Sequence, residues 1–237
     1  MPDGFFTKLL VGCPTSFHKS YCLQEYLNGV KALTYPHYEL VLVDNSPDTS
    51  YYDLLESKDV TVFKTPYSAE TARERIVISR NMLRQYILEN DYDYFLSLEQ
   101  DVIPPPDVIE RLLSHQKPVV SGVYYKDYVI KKGDTVTETI IMPLLFRRRL
   151  DNSFIQLLER DVLEPALLSV DIAGLGCVLI HRDVLEKVSF RYEPDQIVFD
   201  DFWFCQDLAK EHIPLYADTR VKCKHLLRGM DWDTIKK

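Results

Sequence analysis

Short apolar runs alternate with amphipathic segments along the first half of the chain. A strand buried on both faces lacks polar alternation, so the apolar runs predict strands of a parallel sheet and the amphipathic segments predict helices that cover it. The predicted strands lie at residues 6–11, 38–43, 60–63, 94–98 and 118–124. The predicted helices lie at residues 18–33, 51–57, 69–89 and 107–115. This order is typical of an α/β fold.

The second half has a different pattern. Residues 126–165 are interpreted as an excursion from the sheet, with a hairpin tip at 131–134. The apolar segment 170–180 returns to the sheet, and Gly174 and Gly176 within it indicate close approach of the backbone to another group. The prediction ends with a helix at 201–211 and strands at 215–218 and 220–225. No repeat or linker is visible, so the pattern favours one domain over residues 1–237.

Composition narrows the class of protein. With 46% hydrophobic and 27% charged residues, the chain has the composition of a globular protein, and its formal charge of −8 argues against broad binding to nucleic acid or anionic lipid. No stretch approaches the ~18 apolar residues of a transmembrane segment. The N-terminus has neither the basic segment nor the cleavage site of a signal peptide, so a cytoplasmic location is expected.

The cysteine pattern favours reduced thiols. The five cysteines are odd in number and form no CxxC pair. A zinc site made by Cys205, His212, Cys223 and His225 is the competing interpretation, but these spacings match no common zinc ribbon or finger.

Two carboxylates follow the predicted strand at 94–98, at the edge where open α/β sheets bind ligands. Three prolines at 104–106 end that strand. Residues i and i+2 of an extended chain share a face, so Glu99 and Asp101 can point into one crevice. Such a pair is costly without a cation, and oxygen ligands suit Mg²⁺ or Mn²⁺. The alternative is a solvated strand end.

Other candidate residues each have a structural alternative. Asp44 ends the second strand and either binds the ribose or base of a nucleotide or forms an Asx turn. Asp200 and Asp201 lie among four aromatic residues, which suggests a sugar platform with a general base, or the start of a helix. Arg80 suits a diphosphate if it faces the crevice, although helix arginines are usually solvated. His225 alone is more often a hydrogen-bonded histidine than a ligand.

Motifs for phosphate and nucleophile chemistry are absent or degenerate. Residues 12–20 end in Lys19-Ser20, as a phosphate-binding loop does, but His18 replaces the glycine before the lysine and the first glycine is one residue early. The chain has no GxGxxG, GxSxG or HExxH.

The ordered set of motifs resembles the GT-A fold nucleotide-sugar glycosyltransferases, especially family 2-like members, over nearly the whole chain. The series is Pro14-Thr15, Val43-Asp44-Asn45-Ser46, Ser79-Arg80-Asn81, Glu99-Gln100-Asp101, Ala173-Gly174-Leu175-Gly176, Asp200-Asp201 and His225. The resemblance implies a Rossmann-like, mostly parallel central sheet with flanking helices. It further implies a nucleotide-sugar-binding half at residues 1–125 and an acceptor and catalytic half at 126–237.

The resemblance also implies roles for individual residues. Asp101 would hold Mn²⁺ or Mg²⁺ with His225 as the second protein ligand, and Glu99 stands where the family has the first Asp of its DxD motif. Asp201 matches the second acid of the family's Glu-Asp pair, the usual base of inverting members, with Asp200 as the alternative base. The residues expected to contact the donor are Pro14, Thr15, Asp44 at the nucleoside, Arg80 near the diphosphate, Glu99 and Gln100.

The activity implied is metal-dependent transfer of a sugar from a nucleoside-diphosphate sugar to an acceptor hydroxyl, with inversion. A retaining GT-A enzyme, a sugar-phosphate nucleotidyltransferase and a non-catalytic sugar-binding module are the alternatives. The acceptor is a saccharide, a lipid-linked molecule or a protein. Arg147, Arg148 and Arg149 are either a solvated turn or a contact for a phosphorylated acceptor, and Arg228 and Trp232 are candidates for a lid over the donor.

Overall fold

The computed structural model describes residues 7–66, 69–132 and 135–227. In chain order, the strands are β1 (Leu9–Thr15), β2 (Tyr38–Asp44), β3 (Thr61–Lys64), β4 (Tyr94–Leu98), β5 (Val102–Ile103), β6 (Val119–Val123), β7 (Tyr125–Lys132), β8 (Thr135–Pro143), β9 (Leu145–Arg148), β10 (Phe154–Gln156), β11 (Leu167–Val170), β12 (Ile172–Ala173), β13 (Cys177–His181), β14 (Leu215–Lys222) and β15 (Lys224–His225). The α-helices are α1 (Leu23–Lys31), α2 (Ser50–Glu56), α3 (Ala72–Glu89), α4 (Val108–Ser114), α5 (Arg182–Lys187) and α6 (Asp200–Lys210). Two 3₁₀ helices lie at Phe17–Cys22 and Glu159–Val162.

An eight-stranded sheet in the order β11-β14-β6-β13-β4-β1-β2-β3 forms the centre of the fold. Strands β3, β2, β1 and β4 run parallel to one another, as do β6 and β14. Strand β13 is antiparallel to both of its neighbours, and β11 is antiparallel to β14. Most of the pairings in this described sheet are therefore parallel, which confirms the predicted fold class.

The sheet is buried on both faces. Along β1, Leu10 packs in one apolar cluster, whereas Leu9 and Val11 pack in another. Because successive strand residues point to opposite faces, these clusters lie on the two sides of the sheet. Helix α3 covers one of them with Leu83 and Ile87, one helical turn apart. Burial on both faces explains why the predicted strands show no polar alternation.

Several element boundaries differ from the prediction. Strand β1 continues to Thr15, because its backbone stays in parallel register with β2 through the pair Thr15↔Asp44. Helix α3 begins at Ala72, where the Thr71 side chain accepts a hydrogen bond from Glu74 N. The predicted strands 215–218 and 220–225 are instead one strand, β14, followed by the two-residue β15. The expected break lies within β14, where the register with β6 is irregular between Ala217 and Lys222.

The predicted excursion folds back as two small antiparallel sheets. Strands β7 and β8 form a hairpin, and residues 133 and 134 of its predicted tip lie outside the described residues. Strands β10, β9 and β12 form the second sheet. Strands from both 1–125 and 126–237 enter the eight-stranded sheet, while the division of these halves into binding and catalytic functions stays a prediction. Within the described ranges, every helix is too short or too polar to cross a membrane.

The ring of Tyr124 lies against the two glycines of the returning segment. A Cβ atom on Gly174 would lie 2.1 Å from Tyr124 Oη, and one on Gly176 would lie 2.7 Å from Tyr124 Cζ. Gly176 N also donates a hydrogen bond of 3.0 Å to Tyr124 Oη. The predicted close approach at these glycines is confirmed, and its partner is this tyrosine.

Candidate functional site

A crevice of about 400 Å³ opens beyond the carboxyl ends of β1, β2 and β4. These parallel strands end at the same edge, so the loops that follow them converge there. Of the predicted site residues, the crevice is lined by Pro14, Thr15, Arg80, Glu99, Gln100, Asp101, Asp200, Asp201 and His225. Asp44 is the predicted site residue that does not line it.

The acidic triplet forms a turn and not the extended segment that the sequence suggested. Val102 N donates a 2.8 Å hydrogen bond to Glu99 O, which closes the turn directly after β4. The Gln100 side chain is buried, and its Oε1 accepts hydrogen bonds from Thr15 Oγ1 and Tyr51 Oη. Glu99 and Asp101 still line one crevice, but they bind different partners within the protein.

Two short strands bring His225 to the acidic turn. Strand β15 pairs antiparallel with β5, with His225 opposite Val102, and Leu226 N donates to Asp101 O at 2.7 Å. His225 Nε2 lies 3.5 Å from Asp101 Oδ2. His225 Nδ1 lies 2.7 Å from Tyr125 O, and since a carbonyl only accepts, Nδ1 carries a proton and Nε2 faces the carboxylate.

The charge of Asp101 is balanced by two basic groups. Burial alone would raise its pKa, but the His225 imidazole and the Lys19 ammonium outweigh burial and lower the pKa of Asp101 to about 2. The pKa of His225 is raised, because the attraction of Asp101 and the contact with Tyr125 O exceed the opposing effect of burial. Asp101 is therefore ionised throughout the physiological pH range.

These residues fit a divalent cation. Asp101 Oδ1 is buried and has no hydrogen-bond partner among the described residues, so one carboxylate oxygen is left for a ligand. Two ligands of one Mg²⁺ lie about 3 to 4 Å apart, and Asp101 Oδ2 and His225 Nε2 meet that spacing. No cluster of three or more His, Cys, Asp or Glu side chains within the described residues could hold a metal, which excludes the four-ligand zinc site there. A cation at Asp101 would need further ligands from a bound molecule or water.

Arg80 is buried between the acids of the two predicted motifs. Its guanidinium donates to Ser97 Oγ at 2.8 Å and to Glu99 Oε1 at 2.6 Å, and its Nε lies 2.5 Å from Asp200 Oδ2. The side chain is only 2% exposed, unlike the solvated helix arginine that the pattern allowed. Since the carboxylates outweigh burial, the pKa of Arg80 is raised. Arg80 therefore joins α3, β4 and α6 at the floor of the crevice.

The two adjacent acids of α6 have different surroundings. Asp200 is paired with Arg80, whereas Asp201 Oδ1 accepts a hydrogen bond from the neighbouring Phe202 N. Burial, and then the negative charge of Asp200, raise the pKa of Asp201 to about 7. A carboxylate with a pKa near neutrality that lines a crevice can exchange a proton at physiological pH.

The predicted aromatic platform beside these acids is not formed. Of the four aromatic residues, Phe199 lines the crevice. Phe202 contacts Phe154, and Phe204 stacks on Phe190 with ring centroids 4.9 Å apart. Neighbouring residues of a helix project in different directions, so α6 cannot present all four rings to one ligand.

Asp44 lies behind the crevice wall. Its Oδ1 accepts from Ser46 N at 3.0 Å, and its Oδ2 pairs with Lys64 Nζ at 2.7 Å. The Asx turn that the sequence left open is thus present, and the neighbouring Asn45 and Ser46 line the crevice.

One site residue that sequence reasoning missed is Lys19. It lies on the 3₁₀ helix after β1, lines the crevice and pairs with Asp101 Oδ2. The sequence signal for Lys19 was a basic residue in the loop after the first strand. Because the match to a phosphate-binding loop failed, that signal was not assigned to the site.

The proposed acceptor contacts are partly described. Arg147, Arg148 and Arg149 are exposed, and Arg148 lies over the ring of Phe154 with 4.9 Å between its Cζ atom and the ring centroid. Arg228 and Trp232, the candidates for a lid, lie outside the described residues.

Known structures share this fold. No known family and no curated protein matches the sequence. GalNAc-T7, solved with UDP, GalNAc and Mn²⁺, aligns over 94% of this chain and 44% of its own at 13% identity, with a TM-score of 0.65. Residues 1–349 of TarS from S. aureus, also solved with UDP, align over 91% of this chain and 60% of their own at 14% identity, with a TM-score of 0.54. A197 from STIV aligns over 93% of this chain and 86% of its own at 18% identity, but its TM-score of 0.47 adds nothing to the assignment.

The chain has a GT-A-like fold, a mixed α/β architecture that it shares with GalNAc-T7 and TarS. At these identities the likeness shows the fold alone. The chain spans less than two thirds of either structure.

Proposed function

We propose that this protein is a metal-dependent glycosyltransferase that moves a sugar from a nucleoside-diphosphate sugar to an acceptor hydroxyl. The observation that carries the proposal is the meeting of Asp101 and His225, 3.5 Å apart, in the same crevice that Asp201 lines. GalNAc-T7 and TarS were solved with UDP, and GalNAc-T7 also with Mn²⁺. These ligands suit the crevice described above.

The predicted site residues divide between the metal, the donor and the walls of the crevice in this proposal. Asp101 and His225 would hold Mn²⁺ or Mg²⁺, which neutralises the charge that grows on the departing diphosphate. Glu99 and Arg80 shape the wall beside them. Asp44 holds the turn that presents Asn45 and Ser46, while Pro14 and Thr15 complete the donor side.

The acceptor hydroxyl must lose a proton as it attacks the anomeric carbon. Asp201 is our candidate for that base, since its pKa lies near 7 and, among the described residues, no basic group lies as close to its carboxylate as Arg80 lies to Asp200. This base supports an inverting reaction. Asp200 is excluded from this role in the proposal because its carboxylate is occupied by the ion pair with Arg80.

Hydrolysis of a panel of nucleotide sugars tests the proposal. With Mn²⁺ present, the protein is expected to release nucleoside diphosphate from at least one donor, and EDTA is expected to abolish release. Asp101→Asn should lose most of this activity, whereas Asp183→Asn, which changes an exposed acid on α5, should retain it. Binding without turnover would indicate a sugar-binding module. Release of pyrophosphate from a nucleoside triphosphate and a sugar phosphate would indicate a nucleotidyltransferase.

Product stereochemistry tests the inverting reaction separately. NMR of the anomeric proton is expected to show the configuration opposite to that of the donor. A product with the donor's own configuration would contradict the role of Asp201 and support the retaining alternative.

The pH profile of transfer is expected to follow the ionisation of Asp201. A general base acts in its deprotonated form, so kcat/KM should increase as pH rises through about 7 and level off above it. Initial rates between about pH 5.5 and 8.5, at saturating metal, measure this profile. A constant kcat/KM over that range would contradict Asp201 as the base.

A further inference from the structure

The ammonium group of Lys19 pairs with Asp101 in the crevice that both residues line. It pairs with Asp101 Oδ2, the same oxygen that faces His225 Nε2. The Lys19 side chain is only 18% exposed and the Asp101 side chain 2% exposed. The chain thus supplies a cation of its own at the carboxylate that would bind the metal.

The acidic turn holds Lys19 at both ends. Gln100 Nε2 donates a 2.8 Å hydrogen bond to Lys19 O, while the neighbouring Asp101 pairs with the ammonium. Cys22 Sγ also donates to Lys19 O at 3.1 Å. The backbone of Lys19 is therefore fixed to the turn, and the ammonium is carried on a four-carbon side chain that can change rotamer.

A divalent ion that approaches Asp101 meets this positive charge at close range. Like charges in a partly buried site repel, so the ion binds there more weakly than at a free carboxylate. The repulsion decreases if the ammonium finds a second anion. In the proposed reaction that anion is the donor's diphosphate, because Lys19 lines the same crevice.

We propose that Lys19 is a built-in counter-cation. Its ammonium competes with divalent ions for the Asp101 carboxylate until a nucleoside diphosphate enters the crevice. The ammonium would then pair with the diphosphate, and Asp101 and His225 would be left to hold the metal. Metal and nucleotide bind cooperatively as a result, and metal binding without nucleotide is disfavoured. This inference rests on the proposed function for the identity of the anion, but not for the competition at Asp101.

Titration with Mn²⁺ alone, read from the EPR signal of the free ion, tests the competition. Lys19→Met is expected to bind Mn²⁺ about tenfold more tightly than the unchanged protein, an effect of the size usual for coupled sites. Lys19→Arg keeps the charge and should bind Mn²⁺ as weakly as the unchanged protein. Lys58→Met, a change at an exposed lysine outside the crevice, is the control and should not alter binding.

Adding UDP as the nucleotide probe tests the transfer of the ammonium. UDP is expected to tighten Mn²⁺ binding to the unchanged protein by about tenfold more than it does for Lys19→Met, since coupling between sites is reciprocal. Equal coupling in both proteins would overturn the proposal. So would Mn²⁺ binding to Lys19→Met that is unchanged or weaker in the absence of UDP.

The two proposals fail in different ways. Lack of Mn²⁺-dependent hydrolysis of any nucleotide sugar overturns the proposed function, while the titration with Mn²⁺ alone still decides the competition at Asp101. Conversely, if the unchanged protein is active but Lys19→Met shows no gain in Mn²⁺ affinity, only the role of Lys19 is overturned. Circular dichroism of each variant confirms that the folded state is being compared.

Discussion

Asp201→Asn is expected to lower the rate of sugar transfer by about 100-fold or more and to leave nucleotide affinity nearly unchanged. The amide has almost the shape of the carboxylate but cannot accept the acceptor's proton, so the loss falls on the transition state. Measurement of kcat for transfer, together with nucleotide binding by calorimetry, separates these effects. Parallel losses in both would make Asp201 a binding residue.

The stability of Asp201→Asn shows whether its loss of activity comes from unfolding. The raised pKa of Asp201 means that the folded protein keeps a proton that the unfolded chain has already lost. Stability is therefore expected to fall as pH rises from about 4 to about 7, with the full cost present above 7. Asp201→Asn lacks this group, so it should melt at a higher temperature than the unchanged protein at pH 8. Glu211→Gln, at the exposed end of the same helix, should change neither activity nor stability.

The order of elements could be predicted because each depends on local pattern. Burial of a strand on both faces removes polar alternation, as in β4, and burial of one helix face repeats apolar residues at helical spacing, as in α3. The prolines after Ile103 likewise placed the acidic residues at the carboxyl end of the strand and not within it. These signals lie within a few residues of the feature that they predict.

The partners of the site residues could not be predicted in the same way, because they come from distant parts of the chain. An arginine on a helix is usually solvated, yet Arg80 is buried because acids from the turn after β4 and from α6 both reach it. Asp44 resembled a nucleoside contact, but Lys64 on the neighbouring strand pairs with it. Resemblance of motif order located Asp101 and His225, whereas Lys19 belongs to none of the motifs that carry that resemblance.

Arg80→Met is expected to lower the free energy of unfolding by about 3 to 5 kcal/mol, the usual cost of leaving a buried charge without its partner. Asp200 is 4% exposed, and the substitution removes the guanidinium that balances it. For a domain of this size the melting temperature should drop by about 10 °C. Urea unfolding followed by circular dichroism, with a thermal melt, measures both quantities.

The cause of that loss can be isolated with two further variants. Arg84, on the next turn of α3, donates from its Nε to the carbonyls of Leu185 and Val188. Arg84→Met therefore leaves no buried carboxylate unpaired, and it should lower the free energy of unfolding by less than Arg80→Met does. Arg80→Met with Asp200→Asn should recover part of the stability, because the unpaired carboxylate is gone. Two results would show that Arg80 does not stabilise the fold by balancing charge. One is a double variant no more stable than Arg80→Met, and the other is an Arg84→Met variant that loses as much free energy of unfolding as Arg80→Met. Asp200 raises the pKa of Asp201 by more than Arg80 lowers it, so the pH profile of transfer by the double variant should shift to lower pH.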